Sequence, residues 1–89
     1  MKQIKIDGKE YSAILNIRAA KTYQELTGKD IAQMTSVADV GAIVYACIDA
    51  AAKKSKVATP LTYDDVLDNL DMSELDAVVE QLMPDKAGE

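Results

Sequence analysis

The segment from Asn16 to Ile31 restricts this chain more than any other stretch. The Asn16 side-chain oxygen can accept the unpaired N–H groups of a first helical turn. Gly28 can take the left-handed conformation that stops a helix. Between them Ala19, Ala20, Tyr23 and Leu26 recur at offsets of 3 and 4. That spacing gathers them on one stripe and leaves Arg18, Lys21 and Glu25 on the other side. A helix with both ends fixed divides the chain into a short N-terminal piece and a longer remainder.

The N-terminal piece, residues 1–15, reads as a β-hairpin. Ile4 and Ile6 alternate with Lys5, and Asp7-Gly8 is a preferred pair for a two-residue type I′ turn. Closing the ribbon there sets Ile4 opposite Tyr11 on one face and Lys5 opposite Glu10 on the other, an apolar pair backed by an ion pair. Two strands alone are barely stable, so the ribbon must lie on helices.

Everything after Gly28 has helical periodicity. Asp30 to Met34 reads as one short turn capped by Asp30. Ser36 and Asp39 have the spacing of a capping box. Val40, Ile43, Val44, Cys47, Ile48 and Ala51 then carry an apolar surface over more than half the circumference, which predicts the central helix. Lys53 and Lys54 suit its negative end. Gly41 costs this helix roughly 1 kcal/mol relative to Ala, and a close helix–helix or helix–hairpin contact would account for it. Ser55 to Pro60 reads as a flexible connection. Thr62-Tyr63-Asp64-Asp65 forms a second capping box, with Leu61 and Val66 placed as a hydrophobic staple around a helix that ends near Leu70. A further helix starts at Asp71 or Ser73, shows Leu75, Val78, Val79, Leu82 and Met83 on one face, and stops at Pro84. The expected fold is therefore α+β and mostly α: an N-terminal β-hairpin packed on a small bundle of about four helices. It forms one domain over residues 1–84, comprising the hairpin (1–15), central helices (16–55) and an acidic C-terminal helix pair (61–84), followed by a disordered tail at 85–89.

A chain of 89 residues without Trp or Phe must build its core from Ile, Leu, Val, Met and much Ala. Domains this small bury only about 60–65% of their unfolded surface, so partners often help. The net charge of −5 is unevenly spread: residues 1–56 sum to +3 and residues 57–89 to −8. So dipolar a chain can pair head to tail with its own copies or favour a basic partner. The thin positive side, with a single Arg, disfavours nucleic acid. No stretch resembles a signal peptide, and the longest apolar run, Ala42 to Ile48, is too short for a membrane span. A lone Cys47 fits a reducing compartment, with cytoplasm the expectation.

Chemistry is hard to place. There is no His and no Cys pair for zinc. The glycines are isolated, so no phosphate loop forms, and the Ser and Thr residues sit mainly at helix starts without a base nearby. The acids Asp64, Asp65, Asp68, Asp71, Glu74 and Asp76 invite a calcium loop. Counted from Asp64 or from Asp68, however, position 3 is Val66 or Leu70 and the required Gly is missing. Asp71-Met72-Ser73-Glu74-Leu75 is only an interrupted version of the D-S-L motif of acyl carrier proteins, and it lies too near the C-terminus. No catalytic, metal or cofactor-binding residue is expected, and the chain is expected not to be an enzyme.

The order of hairpin, Asn-capped helix with Tyr-Gln-Glu-Leu-Thr-Gly-Lys-Asp-Ile, long helix and acidic helix pair resembles the tail assembly chaperones of long-tailed (siphovirus-like) bacteriophages and prophages. Tyr23, Glu25, Leu26, Gly28, Lys29 and Ile31 stand where that family has an aromatic–acid–Leu–x–Gly pattern followed by a Lys/Asp/Ser–Ile pair. Leu61 to Leu67 and Leu75 to Met83 match its C-terminal helices in style. The likeness spans nearly the whole chain, on motifs that are structural and degenerate.

The resemblance implies a non-enzymatic assembly factor that binds and solubilises the tape measure protein before the tail tube polymerises around it. It further implies recruitment of tail tube protein, in many phages through a frameshift-extended form, together with self-association, residence in the bacterial host cytoplasm and absence from the mature virion. The expected partner-binding face is Leu75, Val78, Val79, Leu82 and Met83; the same residues would also serve as a packing face on the central helix. The competing expectation is a small bacterial cytoplasmic interaction or adaptor module.

Overall fold

The computed structural model of the chain describes residues 2–33, 37–74, 77–78 and 80. It begins with strands β1 (Lys2–Ile6) and β2 (Lys9–Ala13), paired antiparallel with Ile4 opposite Tyr11 and Lys5 opposite Glu10. Asp7 and Gly8 take positive φ values of 53° and 81°, the left-handed pair that a type I′ turn requires. Ile4, Ile6 and Ala13 face inward and are buried. On the outer face Lys5 and Glu10 are exposed and, contrary to the expected ion pair, do not bridge. Water competes well for two exposed charges on long side chains. The polar link on that face runs instead from Gln3 Nε2 to Ser12 Oγ at 2.9 Å.

Helix α1 (Ile17–Thr27) has the ends its sequence marks. The Ala19 N–H donates to Asn16 Oδ1 at 3.0 Å, and Gly28, at φ 73°, closes the last turn by donating its N–H to the Gln24 carbonyl at 2.7 Å. Ala19 and Tyr23 are buried, while Leu26, in the last turn of the same stripe, is 36% exposed. A 3-10 turn over Ile31–Gln33 follows. Asp30 closes it through its backbone in place of the expected side-chain cap, its carbonyl accepting the Gln33 N–H at 2.8 Å and its own N–H donating to Gln33 Oε1 at 2.9 Å.

Helix α2 (Val37–Lys54) is the centre of the molecule, with both the hairpin and α1 packed along it. Ala42, Ile43, Val44, Ala46, Cys47, Ile48, Ala50, Ala51 and Ala52 are all buried. Apolar residues on nearly every side are what a helix enclosed by its neighbours carries. The hairpin is tied to it directly, because the Ile14 N–H donates to the Cys47 carbonyl at 3.1 Å.

The connection after α2 is built rather than loose. Lys56 takes φ 61°, its N–H donates to the Lys53 carbonyl, and the Val57 N–H donates to the Ala52 carbonyl. These two bonds form a Schellman motif with lysine in the place usually given to glycine. Helix α3 (Tyr63–Asn69) then starts with the full capping box: Asp65 N–H to Thr62 Oγ1 and Thr62 N–H to Asp65 Oδ2, both at 3.0 Å. Leu61 and Val66, the residues of the staple, are both buried. Tyr63 joins α3 to α2 through Tyr45, with ring centroids 5.9 Å apart. A second 3-10 turn, Met72–Glu74, is closed by Asp71, and helical residues follow at 77, 78 and 80. The predicted α+β, mostly α architecture is thus present. Ser36 and the expected tail at 85–89 lie outside the described residues. No helix among the described residues is long and apolar enough to cross a membrane.

Candidate interaction surface

Of the five residues expected to face a partner, only Val78 is described; Leu75, Val79, Leu82 and Met83 lie outside the described residues. Val78 is 2% exposed and belongs to the hydrophobic core. Its side chain is therefore engaged within the protein, and contact with a partner through it requires that segment to leave the core.

A different apolar surface is open. Val37, Ala38 and Gly41 of α2 and Val66, Leu67, Leu70 and Met72 from α3 and the following turn line a groove of about 80 Å³. Its exposed members are large: Val37 is 52% exposed, Leu67 45% and Met72 66%. Gly41 sets how near the two helices lie, since a Cβ there would stand 3.0 Å from Leu67 Cδ2. This is the close contact that the sequence required of that glycine. Leu70 and Met72 also line a wider, shallower trough of about 600 Å³, whose wall carries Asp7, Asp68, Asp71 and Glu74. Among the described residues, none of these four acids pairs with a lysine or arginine. Asp71 and Glu74 are partly used by the turn itself, accepting from the N–H groups of Ser73 and Asp71 respectively.

Two buried carboxylates on α2 are structural. Asp39, 5% exposed, accepts from Lys29 Nζ at 3.0 Å. This hydrogen bond holds the lysine charged above its ordinary range, against a smaller opposing effect of desolvation. Asp49, 4% exposed, accepts from Lys53 Nζ at 2.7 Å and from Thr59 Oγ1 at 2.6 Å. Burial pushes its pKa up, but Lys53, Thr59 and the nearby Arg18 together outweigh it, and the carboxyl stays below the ordinary aspartate value. Asp49 thereby clamps the connection expected to be flexible. The sequence carried a signal for it: a lone acid within the apolar run of α2, with a lysine four positions on.

Reactive groups are enclosed. Cys47 is fully buried, and burial pushes its thiol pKa up to about 12. Among the described residues, the buried Tyr23 hydroxyl has no hydrogen-bond partner. No group of three or more metal-ligating side chains occurs among the described residues. The surface can bind through apolar contact and charge. Comparisons with protein families, with curated proteins and with solved structures found no match.

Proposed function

We propose that this chain is a tail assembly chaperone of a long-tailed bacteriophage or prophage, acting in the host cytoplasm on the tape measure protein and absent from the finished particle. The observation that carries this reading is the order of marked elements. A type I′ hairpin runs into an Asn-capped, Gly-terminated helix bearing Tyr23, Glu25 and Leu26, then a long central helix, then a capped acidic helix. That is the sequence of parts in the family the chain resembles.

The physical task suits such a molecule. A tape measure protein exposes apolar helical faces before the tube encloses them, and contiguous apolar patches of that kind drive aggregation. A small helical protein can cover them helix against helix, many copies each binding modestly, and be displaced when tail tube subunits arrive. Self-association along the tape measure would follow from the opposed charges of the two halves of the chain.

Co-expression with the tape measure protein of the same phage or prophage is the test. The tape measure protein is expected in the pellet when expressed alone, and in the soluble fraction together with this chain when both are expressed. An unchanged pellet, or a soluble tape measure protein that does not co-purify with this chain, would refute the assignment.

A further inference from the structure

We propose that the groove between α2 and α3 is a docking site for an amphipathic helix of a partner protein whose apolar residues are flanked by lysine or arginine. The groove has one apolar floor, formed by Gly41, Val66 and Leu70, and exposed apolar shoulders at Val37, Leu67 and Met72. A groove between two helices is a surface on which the apolar face of a third can lie. The volume of about 80 Å³ holds roughly one aliphatic side chain, which makes it an anchor pocket within a larger contact.

Charge selects the occupant. The groove opens, through Leu70 and Met72, onto a wall of four carboxylates, Asp7, Asp68, Asp71 and Glu74, with no cation among the described lining residues. A bound helix with acidic flanks would meet like charge there, and one with basic flanks would be both attracted and oriented. Among the described residues, a second copy of this chain offers no such helix. On α1, its basic helix, the exposed apolar residues are Ile17 and Leu26. Their spacing is not that of neighbours on one helical face. Among the described residues, the third large exposed apolar residue outside the groove, Val57, lies beyond the end of α2. Under the chaperone reading the partner is a segment of the tape measure protein, while the chemistry of the groove holds without that identity.

Two synthetic amphipathic helical peptides, identical in their leucine positions but flanked by lysine in one and glutamate in the other, test this against the full chain by fluorescence anisotropy. The lysine peptide is expected to bind more tightly, and its binding to weaken as salt is raised. Leu67→Glu and, independently, Met72→Glu should each weaken it by about tenfold or more. Both positions are exposed, and circular dichroism checks that each variant is folded. Asp68→Lys should weaken it severalfold, whereas Val57→Glu, remote from the groove, should leave it unchanged. Equal binding of the two peptides, or an equal effect of Val57→Glu and Leu67→Glu, overturns the proposal. So does sedimentation showing a dimer that Leu67→Glu dissolves, because the occupant is then a second copy. Peptide binding is read without any tape measure protein, so it can fail while co-expression succeeds, and the reverse.

Discussion

Replacing Thr59 by Val removes one hydroxyl and changes little else, which makes it a direct probe of the Asp49 clamp. Asp49 is 4% exposed and receives the Thr59 hydroxyl at 2.6 Å beside the Lys53 ammonium at 2.7 Å. Hydrogen bonds to charged groups contribute about 1.5–3 kcal/mol, and more is lost when the remaining group stays buried. Thr59 is itself only half-buried, so water can replace part of the bond, and the lower end, about 1.5 kcal/mol, is expected. For a domain of this size that corresponds to a fall in Tm of roughly 6–12 °C. The effect must also depend on pH. The folded-state pKa of Asp49 lies below its ordinary value of 3.8. Its contribution is therefore complete above 3.8 and is lost as pH falls through the lower, folded-state value. Urea denaturation followed by circular dichroism, repeated from pH 7 downward, should show the gap between wild type and Thr59→Val narrowing in the acid range. A loss below about 0.5 kcal/mol at pH 7, the size of an ordinary surface substitution, or a gap that stays constant into acid, would show that the clamp does not hold the connection.

Three further substitutions or reactions probe the core. Tyr23→Phe should leave stability unchanged or raise it by up to about 1 kcal/mol, because the buried hydroxyl has no partner to lose; a clear destabilisation in urea would mean that the hydroxyl is hydrogen-bonded. Gly41→Ala should shift stability by less than about 1 kcal/mol, the gain in helix propensity offsetting displacement of the exposed Leu67 side chain, while Gly41→Leu should cost about 1–3 kcal/mol by overpacking. Cys47 should resist alkylation at pH 8 in the native protein and react promptly in denaturant, because burial holds its pKa at about 12; equal rates in both conditions would place the thiol at the surface.

What could be read from sequence here was local chemistry. The hairpin register followed from Asp7-Gly8, because a two-residue turn fixes which residues face each other. Asn16, Gly28 and the Thr62–Asp65 box were legible because a cap and its target lie within three or four residues. The centrality of α2 followed from apolar residues around most of its circumference. What escaped depends on residues distant in sequence. Asp39 has the spacing of a capping-box acid with Ser36, which lies outside the described residues, and nothing in that local spacing announces the bond from Lys29, ten positions earlier. Asp49 is held by Thr59 from the connection that looked loose. The groove draws Val37, Gly41, Leu67 and Met72 from separate elements, so no periodicity in one segment announces it. The last-helix face was found by periodicity alone, which cannot distinguish a stripe that packs inward, as Val78 does, from one that meets a partner.

The groove also follows from the composition of the core. Alanine supplies much of the buried surface of α2, at positions 42, 46, 50, 51 and 52. Each alanine lets a neighbouring helix come close but removes little apolar area from water, at roughly 25 cal/mol per Å². At Gly41 the space this opens is taken by a side chain, with Leu67 Cδ2 3.0 Å from where a Cβ would stand. Helix α3 packs more tightly on α2 only if the Leu67 side chain leaves the Gly41 face. It is also fixed at its start by the capping box and by the burial of Leu61 and Val66. Burying Val37, Leu67 and Met72 without displacing α3 therefore needs an additional element laid across both helices. An acidic wall along one edge of the groove makes a basic-flanked helix the element that gains most from lying there.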